Sequence, residues 1–441
     1  MLMYDLILKK RNNEELNKEE IQFFIDGVSN GTIPDYQISA MLMAIYFNGM
    51  SHKETAELTL AMAASGDMAD LSAIKGIKVD KHSTGGVGDK TTMMVTPVVA
   101  STGIPVAKMS GKGMGHACGT VDKLDSFPGM RTELSSEEFI KNVNEIGISV
   151  IGQSGNFALA DKVIYALRAV TATVDSIPLI ASSIMSKKLA AGADRILLDV
   201  KTGSGAFMKT YEDSVALAKE MVEIGRNAGR KTTAVVTNMD FPLGSHVGNA
   251  LEAIEAMEVL KGRGSKELTD FCIFMSAGLL NLGDKGTFEE CLELAKKQIE
   301  SGAALEKFKQ LIKQQGGDVN AVDDYSLLGI PETIYQVKSP RSGYIAHMQT
   351  DRVGMAGVIL GAGREKKDDP IDYSAGLILN KKTFDYVKEG DILAELHTNK
   401  DMQAVEKAEQ EFLSSITFSD EEPVKQKLIL AKVDENGITE Y

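Results

Sequence analysis

The sequence predicts an α/β protein with helices at the N-terminus, a parallel sheet in the middle and an α+β subdomain at the C-terminus. Three observations predict this class. Apolar residues recur at helical spacing over the first 65 residues, short apolar runs alternate with glycine loops and helices from about residue 74, and short glycine-punctuated runs follow residue 335. The length of 441 residues suits two or three domains.

Two capping boxes mark helix starts in the N-terminal part, at Asn17 with Glu20 and at Ser51 with Glu54. Between them, DYQISAMLMAIYFNGM has apolar side chains at helical spacing and stops at a glycine. Its methionines favour core packing over a ligand surface, because flexible thioethers fill irregular gaps. The first residues, MLMYDLILKKRNN, are apolar and then basic, the reverse of a secretory signal, and are interpreted as the first helix.

Buried strands are predicted in the middle of the chain, with a helix capped at Ser135 by a box with Glu138 between two of them. The four predicted strands are VAKM (106–109), ISVIG (148–152), RILLDV (195–200) and TTAVVT (232–237). Strands that alternate with helices favour a parallel sheet, in which ligands bind beyond the carboxyl ends of the strands. Glycine-rich loops follow the predicted strands, where that rule expects a site.

The C-terminal part is predicted to form a separate α+β subdomain. It contains four short strand-like runs, SGYIAHM, GVILGAG, AGLILN and GDILAELHT, each next to a glycine.

Charge and composition exclude several classes of function. A net charge of −14 argues against broad nucleic-acid binding, although a local basic pocket would still accept an anion. The sequence contains no window of 18 consecutive apolar residues, so no membrane span is predicted. Three widely spaced cysteines suggest a reducing cytoplasm, and six histidines without HxxxH spacing argue against a zinc site.

The stretch KHSTGGVGDKTT, residues 81–92, has the composition of an anion-binding loop. It is neither a GxxxxGK[ST] phosphate loop, since Asp89 precedes Lys90, nor a GxGxxG fingerprint, since no third glycine stands at position 91. Glycines 85, 86 and 88 nevertheless allow successive backbone amides to converge, and Lys81, Ser83 and Thr92 add charge and donors. Taken alone, such a loop is a structural turn as readily as a site.

Two further stretches strengthen the anion-site interpretation. AKMSGKGMGHACGTVDKLDS, residues 107–126, combines four glycines with Lys108, Ser110 and Thr120, so two loops after two strands can converge on one tetrahedral anion. Residues 165–188 carry Arg168, a planar donor suited to a carbonyl or carboxylate, with Ser183 and Lys187. By itself, this last stretch is better interpreted as a surface helix with solvated charges.

Together these stretches resemble the pyrimidine-nucleoside phosphorylase and thymidine phosphorylase family. The motifs that carry the resemblance span essentially the whole chain in order: DKHSTGGVGD, AKMSGKGMGH, GTVDKLDS, GQSGNFALADK, YALR, IASSIMSKKLAAGAD and VKTGSGAFMK. The chain looks closer to the broad-specificity pyrimidine-nucleoside branch, and it is more distantly similar to the anthranilate phosphoribosyltransferase fold.

The resemblance implies phosphorolysis of a pyrimidine nucleoside such as uridine, deoxyuridine or thymidine to the free base and a pentose 1-phosphate. It implies that phosphate is held by Lys81, Ser83, Thr92, Lys108, Ser110 and Thr120. It implies that the base is held by Tyr165, Arg168, Ser183 and Lys187. The catalytic residues would be His82, Arg168 and Lys187, with His82 giving the base a proton or a hydrogen bond. No redox cofactor or catalytic metal is required.

The family fold implies three parts and a homodimer formed through the helical domain. Residues 1–70 with 161–192 would form a small all-helical domain, and 74–160 with 193–330 a large α/β domain with a mixed, mostly parallel sheet. Residues 335–441 would form the C-terminal α+β subdomain. Closure of the domains would exclude water, which competes with phosphate as nucleophile. A cytoplasmic enzyme without nucleic-acid or membrane partners is expected.

One departure from the family pattern concerns a potassium ion. The resemblance implies a potassium site at Gly88, Leu243, His246 and Glu255, completed by a threonine at the position that Lys90 occupies here. Alanine is the usual residue at position 246. The hypothesis is that the Lys90 ammonium replaces the ion and pairs with Glu255; the alternative is a lysine that points to solvent.

Other departures leave competing interpretations open. Lys112 replaces an arginine, Ala117 and Cys118 replace threonine and glycine, and Ala169 replaces an aspartate. These changes motivate the alternative of a non-catalytic relative that binds nucleoside or phosphate without turnover. A phosphoribosyltransferase of related fold is a weaker alternative, because Arg168 and Lys187 suit a pyrimidine and such enzymes need a diphosphate substrate and normally magnesium. An archaeal-type nucleotide phosphorylase is disfavoured by the absence of a long N-terminal extension.

Overall fold

The computed structural model describes residues 1–113, 115–153, 155–364 and 369–441. Met114 and Ser154, which fall within two of the quoted motifs, lie outside these ranges. The described residues form a helical domain, a large α/β domain and a C-terminal α+β subdomain, as the sequence predicts. None of the described helices is long and apolar enough to cross a membrane.

The helical domain packs N-terminal helices against a helical hairpin from the middle of the chain. Its elements are α1 (Met3–Arg11), α2 (Lys18–Ser29), α3 (Asp35–Asn48), α4 (His52–Ala64), α8 (Leu159–Arg168) and α9 (Ile177–Ala190). Both predicted capping boxes form, at the starts of α2 and α4. Met41 is fully buried in the core of this domain, so the core-packing interpretation of the methionines is confirmed there. Helix α9 also contributes Met185 to the core of the α/β domain, and it therefore joins the two domains.

The large domain is built on a seven-stranded sheet in the order β14-β13-β5-β4-β1-β2-β3. Its strands are β1 (Val79–Ser83), β2 (Val106–Ser110), β3 (Ile148–Gly152), β4 (Arg195–Thr202), β5 (Lys231–Asn238), β13 (Ile429–Asp434) and β14 (Gly437–Glu440). Strands β1 to β5 are parallel and almost entirely buried, and each of the four predicted strands lies within one of them. Since β1 and β2 are neighbours, the loops after them lie side by side.

Helices cover both faces of this sheet. They are α5 (Thr91–Ser101), α6 (Thr120–Asp125), α7 (Ser136–Ile146), α10 (Tyr211–Asn227), α11 (Asn249–Leu260), α12 (Lys266–Leu282), α13 (Phe288–Glu300) and α14 (Ala303–Gln314). Helix α7 begins at the capping box of Ser135 and Glu138. Short 3-10 helices at Val319–Val322 and Tyr325–Leu328 lead out of the domain.

The C-terminal subdomain contains two small antiparallel sheets and two helices. Its elements are β6 (His246–Val247), β7 (Thr333–Lys338), β8 (Gly343–Met348), α15 (Thr350–Leu360), β9 (Gly376–Leu379), β10 (Tyr386–Val387), β11 (Ile392–Thr398), α16 (Met402–Ser414) and β12 (Ile416–Ser419). Three of the four predicted strands form. The prediction for GVILGAG is wrong, because most of that run is the end of α15, where Gly354 lets the helix pack against the carbonyl of His116.

The expected extent of this subdomain, residues 335–441, needs a correction. Strand β13 pairs antiparallel with β5 and β14 pairs with β13, so the end of the chain completes the large sheet instead. The two strands make that sheet mixed, and residues 429–440 belong with the α/β domain.

Candidate active site

A cavity of about 1100 Å³ lies between the sheet and the helical domain. On one side it is lined by the loops that follow β1 and β2, and on the other by α8 and α9. Of the residues that the sequence assigns to the site, those on the cavity wall are His82, Ser83, Thr92, Lys108, Ser110, Thr120, Tyr165, Arg168, Ser183 and Lys187. Segments that are distant in the sequence therefore meet at the carboxyl edge of the parallel strands, as expected for an α/β fold.

The loop after β1 is shaped by glycine. Gly85 and Gly88 have φ values of +96° and +75°, a conformation that side chains with a Cβ rarely adopt. The hydroxyl of Ser83 accepts a hydrogen bond from the Gly85 amide at 3.2 Å, and Thr92 lies in the first turn of α5. Amides and hydroxyls of this loop thus surround one end of the cavity, which we call the phosphate end.

Side chains of β1, β2 and α9 add buried charge to the phosphate end. The Lys108 ammonium lies 3.3 Å from one oxygen of Asp80, and the Lys188 ammonium lies 3.0 Å from the other. Burial lowers the pKa of Lys108 to about 7; Asp80 opposes this effect, and Lys188 and Lys81 add to it. One carboxylate therefore balances two lysines, and the cluster retains positive charge for an anion.

Lys81 is placed differently from the other residues assigned to phosphate. Its side chain is fully buried and is not on the cavity wall. Its ammonium lies 3.3 Å from Asp199 and 3.6 Å from Asp89, and Asp199 also pairs with Lys201 at 2.8 Å. In this conformation Lys81 supports the loop from behind and does not face the cavity.

The other end of the cavity, which we call the base end, is formed by the helical domain. The Lys187 ammonium on α9 lies 3.3 Å from the Ser183 hydroxyl and 2.5 Å from a carboxylate oxygen of Asp161 on α8. The ring of Tyr165 has Lys187 on its face, with the ammonium 5.9 Å from the centroid. These side chains are neighbours because α8 and α9 form an antiparallel pair with helical spacing between the polar residues.

Arg168 is fully buried, so the alternative of a solvated surface charge is wrong. Its guanidinium donates to the carbonyls of Thr173 and Leu179 at 3.1 and 3.0 Å, and to that of Val174. Three of its five donors thus fix the turn between α8 and α9. The arginine shapes the base end, and two donors remain for a ligand.

His82 lies on β1 between the two ends of the cavity. Burial holds the pKa of its imidazole well below the usual value, and the nearby cations Lys188, Lys108 and Lys81 lower it further. At neutral pH the ring is therefore uncharged in the ligand-free protein. A neutral imidazole still has one N–H to donate.

The oxygens assigned to a potassium site surround Lys90 instead. The buried Lys90 ammonium donates to the carbonyls of Leu243 and His246, both at 2.9 Å, and to a carboxylate oxygen of Glu255. Lys90 is 1% exposed, so it does not point to solvent. The carbonyl of Gly88 accepts from the amide of Lys90 at 2.8 Å. Lys90 thus takes up oxygens that an ion at this position would need.

Sequence reasoning missed several side chains that act on the site. Asp80, Asp161 and Lys188 pair with or flank assigned residues, and the exposed ring of Phe207 lies on the cavity wall. Asp80, Asp161 and Lys188 each carry charge and lie within a quoted motif, DKHSTGGVGD, GQSGNFALADK and IASSIMSKKLAAGAD respectively, which is a usable signal. The partner of Asp161 is 26 positions further along the chain, so no local pattern reveals their pairing.

Three of the residues that depart from the family pattern, Lys112, Ala117 and Cys118, line the cavity. Cys118 lines the cavity, and its thiol lies 3.7 Å from the carbonyl of Ala362. Burial raises the pKa of this thiol, so it stays protonated and unreactive at neutral pH. Cys118 fills space beside the loop and leaves the cavity open.

Three family domains match consecutive parts of the chain. The glycosyl transferase family helical bundle domain matches residues 4–66, the glycosyl transferase family a/b domain matches residues 75–305, and the pyrimidine nucleoside phosphorylase C-terminal domain matches residues 344–419. The crystal structure of anthranilate phosphoribosyltransferase from Thermus thermophilus has a TM-score of 0.57 at 19% identity, covering 70% of this chain and 98% of that one. This likeness shows a shared fold.

Curated relatives are similar over nearly the whole length. A pyrimidine-nucleoside phosphorylase of Staphylococcus haemolyticus is 55% identical over 404 residues, which cover 91% of this chain and 93% of the relative. One from Geobacillus stearothermophilus is 52% identical over 420 residues, covering 95% and 96%. At this identity and coverage, the chain belongs to the pyrimidine-nucleoside phosphorylase family.

Proposed function

We propose that this chain catalyses the phosphorolysis of uridine, deoxyuridine and thymidine to the free base and a pentose 1-phosphate. The observation that carries the proposal is the single cavity with a cationic glycine-loop end and a base end of Tyr165, Ser183 and Lys187. Family membership supports the same activity. The likeness to a phosphoribosyltransferase concerns the fold alone, so it does not favour that alternative activity.

In the proposed reaction, phosphate at the glycine loops attacks the anomeric carbon of the pentose. A phosphate oxygen forms a bond to this carbon, the glycosidic C–N bond breaks, and its electron pair moves to the ring nitrogen of the leaving base. The base then takes up a proton. Lys187 and Arg168 stabilise the negative charge on the base because their donors are already in place.

His82 is proposed to serve as a neutral hydrogen-bond donor to the base and not as an imidazolium acid. The lowered pKa of its ring supports this role. Closure of the helical domain over the loops would exclude water from the anomeric carbon.

The activity is tested by phosphate-dependent release of uracil or thymine from the three nucleosides. Turnover that requires phosphate is the expected result. Nucleoside binding without turnover would support the non-catalytic alternative, and Cys118 and Ala169 would then be changed first, to Gly and Asp. Turnover only with a diphosphate-bearing sugar and magnesium would support a phosphoribosyltransferase.

We also propose that Lys90 replaces a potassium ion. Its contacts with Leu243, His246 and Glu255 support this proposal, because a fixed ammonium supplies the same positive charge to the same oxygens. Activity and melting temperature of the wild type should be the same in sodium and in potassium. Lys90→Thr should make both depend on potassium. A strong potassium response of the wild type would refute the proposal.

A cytoplasmic homodimer that associates through the helical domain is proposed as the working form. The exposed side chains of Tyr36 and Phe47 on α3, at 74% and 77%, support the interface. Three unpaired cysteines are consistent with a reducing compartment. Sedimentation should give twice the chain mass, and Phe47→Glu should shift it towards the monomer; an unchanged monomeric wild type would contradict the interface.

A further inference from the structure

Asp161, in the motif GQSGNFALADK, is a buried carboxylate at the base end for which the resemblance implies no role. It is 1% exposed and lies in the first turn of α8. One of its oxygens is 2.5 Å from the Lys187 ammonium. The other oxygen has no hydrogen-bond partner among the residues that the structure describes.

Such an arrangement needs a physical reason. A buried carboxylate with an unsatisfied oxygen is destabilising, and an apolar residue would avoid that cost. The N-terminus of α8 compensates in part, because its amides carry positive partial charge. A remaining reason is the one strong contact that Asp161 makes, which is with Lys187.

More than the other charged groups at the cavity, the Lys187 side chain needs a contact that fixes its position. Its side chain is 32% exposed, and it has a flexible four-carbon stem. Its ammonium has three donors, of which Asp161 and Ser183 occupy two. Because the ammonium lies 5.9 Å from the Tyr165 ring centroid and Lys187 lines the cavity, the third donor is left for a ligand in the cavity.

We propose that Asp161 is a positioning residue that fixes the Lys187 ammonium for a carbonyl oxygen of the pyrimidine. The proposal rests on the proposed function, since it assigns the base to this end. Asp161 lies on the cavity wall and its charge also acts on Arg168, but its direct contact is with Lys187, and its positioning role is assigned through that contact. Ala169 is consistent with this assignment, because no carboxylate follows Arg168 to share the task.

The test is a double-mutant cycle of Asp161→Asn and Lys187→Met, with uridine phosphorolysis measured for all four proteins. Asp161→Asn alone should lower kcat/KM for uridine about 30-fold and leave the KM for phosphate within about twofold, because misplaced catalytic groups are costly and the phosphate end is untouched. In the Lys187→Met background it should have almost no further effect, since coupled residues are not additive.

Asp5→Asn is the matched control, because it makes the same chemical change at an exposed carboxylate in the first turn of another helix of the same domain. It should leave both constants unchanged. An equal loss from Asp161→Asn in both backgrounds, or no loss in either, would overturn the proposal. If Asp161→Asn does not fold, Asp161→Ser enters the same cycle. An inactive wild type would refute the proposed function, and equilibrium binding of uracil to the four proteins would then test the pairing.

Discussion

The two ends of the cavity are built in opposite ways. At the phosphate end, Lys108 on β2 and Lys188 on α9 are buried and share Asp80 on β1. At the base end, the ammonium of Lys187 is partly exposed and is held by a single carboxylate on a helix. The first arrangement has two lysines for one carboxylate and so carries excess positive charge. In the second, the Lys187 ammonium has a carboxylate of its own, Asp161, on the helical domain.

This difference shows how one cavity can treat two ligands differently. Phosphate is an anion before and after the reaction, so fixed cations in a low-dielectric wall suit it throughout. The base becomes negative only as the bond breaks, and an ammonium already paired with a carboxylate limits ground-state attraction. The phosphate end should therefore control the binding of phosphate, and the base end the rate of the chemical step.

The largest expected effect is at the phosphate end. Lys108→Met removes a buried cation from the cavity wall and should lower kcat/KM for phosphate by about 10³-fold, mostly through KM. Steady-state kinetics with varied phosphate measure it. Lys219→Met is the control, because Lys219 is an exposed lysine on α10 of the same domain and does not line the cavity, and it should change kcat/KM only slightly. Equal losses in the two variants would mean that net charge matters and position does not.

The next largest effect is at the base end. Arg168→Lys keeps the charge but cannot reach the carbonyls of Thr173, Val174 and Leu179 together, so buried acceptors lose their partners. We expect kcat/KM for uridine to fall about 10²-fold, with a lower melting temperature and an almost unchanged KM for phosphate. A rise of similar size in the KM for phosphate would contradict the proposal that the phosphate end alone controls the binding of phosphate.

The sequence was informative where local patterns determine structure. The capping boxes at Asn17, Ser51 and Ser135 start helices, and the glycine loops follow β1 and β2 as predicted. Glycine, capping residues and buried strands are recognisable because each depends on backbone conformation or burial over a few residues.

Features that depend on distant contacts were not predictable. GVILGAG is apolar without a clear period, and packing of α15 beneath the loop of His116 selects the helix. The pairing of β13 with β5 joins residues nearly 200 positions apart, so no local pattern reveals it. The same reason applies to Lys81, whose motif suggests a ligand contact while Asp199 holds it behind the wall.

A smaller effect should come from the C-terminal subdomain. Arg364 lies 2.9 Å from one oxygen of the buried Asp122, whose other oxygen accepts the Gly113 amide at 2.5 Å. Arg364→Gln should therefore loosen the loop after β2 and raise the KM for phosphate about tenfold without changing the KM for uridine. The control is Arg341→Gln, which removes an exposed pair with Asp420 in the same subdomain. If the kinetics of Arg364→Gln are unchanged, the KM for phosphate is set by the residues of the large α/β domain and not by the C-terminal subdomain.

The smallest expected effect is a pH dependence confined to the phosphate end. With its pKa lowered to about 7 by burial, Lys108 is charged below that pH and loses its proton above it in the ligand-free protein. Anion affinity should fall as pH rises, and one titrating group predicts about a fivefold loss between pH 7 and pH 8. Sulfate as a competitor of phosphate measures this, because its own charge is constant in that range. The inhibition constant should rise with pH in the wild type and stay flat in Lys108→Met. A flat wild-type profile would mean that Asp80 keeps Lys108 protonated, and the excess charge of the phosphate end would then be permanent.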